Sequence, residues 1–252
     1  ATTARVVLKH MCDYGVRVGA LDRNPVDDSV PTYTAGRKVP KSITPEFYAK
    51  VRHAIIAWGE EDHPGPARSS DLVLDVLDTI AVLGVRPGEA LALQWSDVDI
   101  TERTVLVSGT IVEATAKGQK IRRQPFPKTQ SGLRLLHFGP GLQALFMRRA
   151  GLEIPNDHGL VFPNADGGYM APTGVGRKIR KALKGTSVEG FIPYRLRKGL
   201  SQRVRDEVGL EEASLVLGHS NTKVTETYYA GRPVETPDVS GVAEAFLTAA
   251  SK

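Results

Sequence analysis

Cysteine is all but missing from the chain. Cys12 stands alone among 252 residues, so no intrachain disulfide can form and a reducing compartment suits the protein. No run of about 18 apolar residues occurs, and no N-terminal signal pattern is present, so neither a membrane-spanning helix nor export is expected. Histidines number six, but His10, His53, His63, His137 and His158 show no ligand spacing. The stretch 193–229 carries no cluster of His, Cys and carboxylates suited to a metal. A glycine loop of the Walker type is also absent, which removes the usual cradle for a nucleotide. Acids nearly vanish over one segment. From Arg177 to Arg205 there are ten Lys or Arg and a single Glu189, an electrostatic footprint suited to a polyphosphate.

What is present suffices for a sizeable core. Hydrophobic residues make up 41% of the chain, and the net charge of +5 and pI near 9.3 are moderately basic. Val6, Val7, Met11, Tyr14 and Val18 recur at helical spacing until Asn24-Pro25 ends the pattern. Residues 1–22 read as the last helix of an upstream domain, its apolar row packed on whatever partner remains. Residues 23–42, with three prolines, read as a linker. A second domain then spans 43–232. Thr44 and Pro45 predict a capped helix over 44–58, with Val51, Ile55 and Trp58 inward. Ser70–Leu83 predicts a second helix, apolar around most of its circumference, closed by Gly84. Pro87-Gly88-Glu89 opens a third, ending near Trp95.

From Asp97 to Phe138 the period changes to two. Segments around Val98–Ile100, Thr104–Val107, Ile111–Val112, Ile121–Phe126 and Leu133–Phe138 predict a small antiparallel sheet of three or more strands, with a turn at 128–132. Helices are expected from Pro140 to about Ala150, at Pro172–Leu183, from Tyr194 to about Val208, and at Glu211–Leu217, the last stopped by Gly218. The tail, 233–252, reads as a short linker around Pro233 and Pro237. A helix capped by Asp238 follows, with an apolar stripe of Val239, Val242, Phe246, Leu247 and Ala250. The fold class is α+β: a mostly helical domain with a small antiparallel sheet.

The stretch 193–229 concentrates chemistry-bearing residues: Arg195, Arg197, Gly218-His219 and Tyr228. Fixed positive charge, an imidazole and a phenol suit attack on a phosphodiester by tyrosine, with cations holding the charge that builds on phosphorus. Here the chain resembles the tyrosine recombinases, or phage-type integrases. That family carries an H-x-x-R box, then L-G-H, then a nucleophilic tyrosine nine residues after that His. The corresponding residues are Tyr194-Arg195-Leu196-Arg197, Leu217-Gly218-His219 and Tyr228. The family's first arginine lies in G-x-R-x-x-E-x-x-x-L-x-W-x-D, matched by Gly84, Arg86, Glu89, Leu93, Trp95 and Asp97. Its hairpin lysine is matched by Lys128-Thr129 ahead of Gly132-Leu133-Arg134. The likeness runs over roughly residues 40–232, and one departure is plain: Tyr194 replaces the usual His.

The resemblance implies a tyrosine recombinase catalytic-domain fold and a site of Arg86, Lys128, Tyr194, Arg197, His219 and Tyr228, with Glu89 holding Arg86 in place. It implies cleavage and rejoining of double-stranded DNA through a 3′-phosphotyrosine, with no metal, cofactor or ATP. It also implies a homotetramer on DNA that exchanges C-terminal helices, DNA-bending accessory proteins, and a cytoplasmic, nucleoid-associated setting in a bacterial or phage-infected cell. On the residues alone, Arg177, Lys178, Arg180, Lys181, Arg195 and Lys198 are the candidate DNA-backbone contacts. Tyr194 can donate one hydrogen bond to phosphate but can be neither a cation nor a neutral-pH base. Trp95 and Asp97 read as holding the fold. Two other readings stay open: a DNA-binding module that has lost its chemistry, and a type IB topoisomerase-like strand transferase.

Overall fold

The computed structural model describes residues 2–27, 43–61, 70–113, 120–125, 132–152, 154–218 and 234–249. The chain separates into two compact units, 1–41 and 42–252. In the first, helix α1 (Thr2–Arg17) receives the returning segment 24–27. Asn24 Nδ2 donates to the Lys9 carbonyl at 3.0 Å and to Asp13 at 2.5 Å, and Arg5 donates to the Val26 carbonyl at 2.8 Å. Val26 is buried by this fold-back, whereas Val6, Val7, Met11, Tyr14 and Val18 remain exposed. Within this unit, the side of α1 that meets residues 24–26 is covered.

The second unit is built around α3 (Ser70–Leu83). Its residues from Val73 onward are all buried, because α2 (Pro45–Glu60), α5 (Pro140–Ala150), α6 (Pro172–Leu183) and α7 (Tyr194–Glu207) pack about it. Helix α2 begins as its sequence predicts, with Thr44 Oγ1 accepting from the Phe47 amide at 3.2 Å and Pro45 in the first turn. Two acids interrupt the apolar surface of α3. Asp78 accepts from the Tyr48 hydroxyl at 2.7 Å and is paired with Arg52. Asp75 accepts from Arg149 at 3.0 Å and is paired with Arg148. A buried carboxylate is tolerated only with such partners, so each acid fixes a neighbouring helix in register.

After α3 the chain turns through Gly84, at φ +63°, where an added Cβ would stand 2.9 Å from Leu200. The third helix is shorter than its pattern suggests. Helix α4 covers only Pro87–Ala90, and a 3₁₀ turn follows at Trp95–Asp97. Asp97 holds that turn by accepting from the Gln94 amide at 3.0 Å, Ser108 Oγ at 2.7 Å and Arg123 at 3.2 Å. The fold-holding role of Asp97 is thus explicit.

The strands divide into two sheets. One has the order β1 (Val98–Asp99), β2 (Thr104–Val107), β5 (Arg134–His137), β6 (Val234–Glu235); the other pairs β3 (Thr110–Val112) with β4 (Arg122–Gln124). The first is antiparallel except at its last step, where β6 runs parallel to β5, with Arg134 opposite Val234. The strands expected between 97 and 138 pair antiparallel, and the parallel step is added by the tail strand, which the pattern did not announce. Its cause is topological: the partner strand arrives from the tail rather than through a hairpin.

The tail also departs from a single amphipathic helix. It forms two short helices, α9 (Ser240–Ala243) and α10 (Ala245–Thr248), packed against its own unit. Phe246 is fully buried, edge-on to Tyr48 at 6.4 Å and beneath Arg203 at 6.0 Å. Glu244 accepts from the Gly141 amide at 3.2 Å at the start of α5. Phe246→Ala is expected to cost about 3–5 kcal/mol, read as a lower urea midpoint. An unchanged midpoint would mean that the tail is undocked in the free chain.

Candidate active site

Arg86 lies at the junction of α3 and α4, as the N-cap of the shorter helix. Its amide donates to Glu89 Oε2 at 2.9 Å and its Nη1 donates to Glu89 Oε1 at 2.6 Å. The two side chains differ sharply in exposure, 45% for Arg86 and 3% for Glu89. A buried carboxylate therefore holds a guanidinium that faces solvent.

Arg197, on α7, is buried, and it ties two helix ends together. Nη1 donates to the Gly84 carbonyl at 2.6 Å and Nη2 to the Leu217 carbonyl at 2.5 Å. Leu217 ends α8 (Leu210–Leu217), and Gly218 caps that helix in the left-handed conformation at φ +61°. Burial pushes the Arg197 guanidinium down to about 10, helped by the positive charges of Arg86 and Arg134, so it stays charged at neutral pH. Two of its five N–H donors meet carbonyls. Tyr194, three residues earlier on α7, is about half exposed.

A third arginine completes the cluster, and sequence reasoning passed over its role. Arg134 is fully buried at the start of β5. It donates from Nε to the Val216 carbonyl at 2.9 Å, from Nη1 to the Gly132 carbonyl at 2.9 Å, and from Nη2 to Glu89 Oε2 at 3.1 Å. The signal that could have found it is the alternation of β5. Arg134 shares the inward face with Leu136, a place where a charge needs a partner.

Burial alone would raise the Glu89 carboxyl. The Arg134 charge, the Arg86 amide and the Arg86 guanidinium outweigh that effect and hold it below its ordinary value of 4.5. A depressed carboxyl contributes stability above its unfolded pKa, and that contribution is lost as pH falls through the folded value. The urea midpoint is accordingly expected to drop on acidification below about 4.5, and Glu89→Gln to flatten that part of the profile. An unaltered profile in the variant would remove Glu89 as its source.

Arg86, Glu89, Arg134 and Arg197 thus come together, with Tyr194 on the same helix as Arg197. Lys128, His219 and Tyr228 lie outside the described residues. The described chain nevertheless brackets the segment that holds the last two. It stops at Gly218, beside carbonyls held by Arg134 and Arg197, and resumes at β6, paired with the strand that carries Arg134.

The candidate DNA contacts divide. On α6, Val175, Ile179, Ala182 and Leu183 are buried. Arg177, Arg180 and Lys181 are exposed, and at 100° per residue they fall on the opposite side of the helix. Lys178 is half-buried between the two sides. On α7, Lys198 is exposed, while Arg195 lies over the Phe47 ring at 5.4 Å.

Comparison with known proteins adds to this geometry. The model of the Phage integrase family matches residues 64–233. Tyrosine recombinase XerC of Bacillus subtilis is 28% identical over 194 residues, covering 76% of this chain and 58% of that protein. Across the first relatives the chain spans 58–65% of their length. Among solved structures, the Tn1549 transposon integrase in complex with a circular intermediate DNA superposes with a TM-score of 0.69 at 19% identity, over 87% of this chain and 71% of that one. A lambda integrase tetramer bound to a Holliday junction gives 0.55 at 17% identity, over 90% of this chain and 60% of that one. These likenesses show a shared fold of the catalytic-domain type.

Proposed function

The chain belongs to the phage integrase family, and on that premise we propose that it cleaves and rejoins double-stranded DNA through a 3′-phosphotyrosine on Tyr228. The observation that carries the reading is the cluster of three arginines around one buried glutamate, with the segment containing Tyr228 leaving from beside it. Three guanidiniums and one carboxylate leave two net positive charges. A pentavalent phosphorane formed from a phosphodiester carries two negative ones. Arg86 offers an exposed guanidinium, and among the described residues Arg197 commits two of its five donors to carbonyls, so both can meet non-bridging oxygens, which a lysine cannot match bidentately.

In the forward step the Tyr228 phenol oxygen attacks phosphorus and the bond to the 5′ oxygen breaks. His219 accepts the phenol proton and Lys128 protonates the leaving 5′ oxygen. Tyr194 donates one hydrogen bond to a phosphate oxygen, with no acid–base part. The phosphotyrosine conserves the bond energy, so a 5′ hydroxyl reverses the step without ATP or a metal. Attack by a hydroxyl from another strand gives recombination.

The reading extends to assembly as a homotetramer on DNA. The tetramer in the lambda integrase neighbour supports that arrangement. Exchange of C-terminal helices would require Phe246 to leave its site against Tyr48. DNA-bending accessory proteins and a cytoplasmic, nucleoid-associated setting belong to the same reading.

The test uses a pool of nicked duplexes with randomised core sequence. Loss of the short fragment beyond the nick traps the covalent complex, which denaturing gels reveal. An adduct supports the proposal; binding without an adduct would make the chain a DNA-binding module. Helix α6 is assigned to the DNA backbone. Reversing the charges of Arg177, Arg180 and Lys181 together is expected to weaken duplex binding. The log–log salt slope should become shallower by about 0.9 for each phosphate that the variant no longer neutralises. A slope unchanged by the reversal would remove α6 from the interface.

A further inference from the structure

We propose that Arg134 is a positioning residue for strand cleavage, orienting Arg86 through Glu89 and anchoring the end of α8 from which the chain runs to His219. The proposal rests on the strand-cleavage reading. Arg134 has no exposed surface, so it cannot itself touch a phosphate. A guanidinium at an inward strand position is costly unless its donors are satisfied, and an apolar side chain would fill the same place more cheaply. Its donors go to three separate segments: the Val216 carbonyl at the end of α8, the Gly132 carbonyl ahead of β5, and Glu89 on α4.

The division of Glu89 between two arginines is the device. Oε1 accepts from Arg86 Nη1, while Oε2 accepts from the Arg86 amide and from Arg134 Nη2. With Arg134 sharing the carboxylate, the pair of arginines keeps one net positive charge, and Arg86 is held by one edge with its remaining donors outward. Without Arg134, Arg86 would be the remaining cation on the buried carboxylate among the described residues, and the carboxylate would draw that guanidinium inward. The same arginine fixes the Val216 carbonyl, two residues before Gly218, so the Arg86 clamp and the exit of α8 are held in one frame.

The test compares Arg134→Met with the unaltered chain on two nicked duplexes, one with the ordinary scissile phosphate and one with a methylphosphonate there. Methylphosphonate removes one negative charge from the transition state and so lessens the need for a clamp cation. The expected result is about a 10²-fold slower adduct formation at saturating DNA, a Kd within about twofold, and recovery of most of the loss on methylphosphonate. Arg86→Ala should recover in parallel. An equal loss on both substrates, a Kd weakened in proportion, or no loss would overturn the proposal.

Should Arg134→Met fail to fold, Arg134→Gln carries the same comparison, since its amide can still donate to a backbone carbonyl but brings no charge to Glu89. A spectroscopic arm stands apart from cleavage. The Arg86 Nε–Hε resonance, assigned by its loss in Arg86→Lys, is expected to shift in the Arg134 variant while that of Arg177 does not. An unmoved Arg86 resonance overturns the positioning role. Absence of an adduct from the unaltered chain would instead refute the cleavage reading.

Discussion

Replacing Tyr228 by Phe is expected to abolish the covalent adduct while leaving duplex affinity nearly intact, and Tyr229→Phe is expected to retain the adduct. Phenylalanine keeps the ring and removes only the oxygen that would attack phosphorus, so packing and charge change little. The choice between the neighbouring tyrosines comes from the nine-residue interval after His219. In regular secondary structure adjacent side chains point in different directions, so only one of the pair would address the phosphate that Arg86 and Arg197 are proposed to hold. Binding is distributed over many cations, which is why affinity should survive. An adduct persisting in Tyr228→Phe would sink the assignment of the nucleophile.

Lysine at either clamp position is expected to slow cleavage by about 10²-fold or more, since one missing transition-state donor costs roughly 2.7–4 kcal/mol. The two positions should fail differently. Arg86 is exposed at the surface and, among the described residues, its guanidinium is held by Glu89, so Arg86→Lys should leave the fold intact and reduce the maximal rate. Arg197 is buried and bridges the Gly84 and Leu217 carbonyls. Lysine cannot fork to both, so Arg197→Lys should lower the urea midpoint as well as the rate. Single-turnover cleavage at saturating DNA, measured beside binding, separates these effects. If affinity fell in proportion to rate, the arginine would be a docking residue.

Local signals made much of this arrangement legible. Thr44-Pro45 marked the start of α2, Gly84 marked a left-handed turn, and the spacing from Arg86 to Glu89 set the carboxylate within reach of the guanidinium. What escaped was long-range. Asp75 and Asp78 sit in a helix whose pattern is apolar, and their partners Arg149 and Arg52 lie far along the chain. The parallel step from β5 to β6 joins residues about a hundred apart. Arg134 bonds Val216 across 82 positions, and no periodicity announces such a pairing. The tail stripe was visible, but Glu244 meeting the start of α5 and Phe246 meeting Tyr48 decide how it packs, as two short helices on its own unit.

The most direct measurement is the identity of the residue that becomes attached to DNA. The chain is incubated with the nicked duplex pool, the denatured adduct is digested with protease and nuclease, and the nucleotide-bearing peptide is sequenced by mass spectrometry. The account predicts a single modified position, Tyr228, joined to a 3′ phosphate. A modification at any other residue, attachment through a 5′ phosphate, or unmodified protein after productive binding would contradict it.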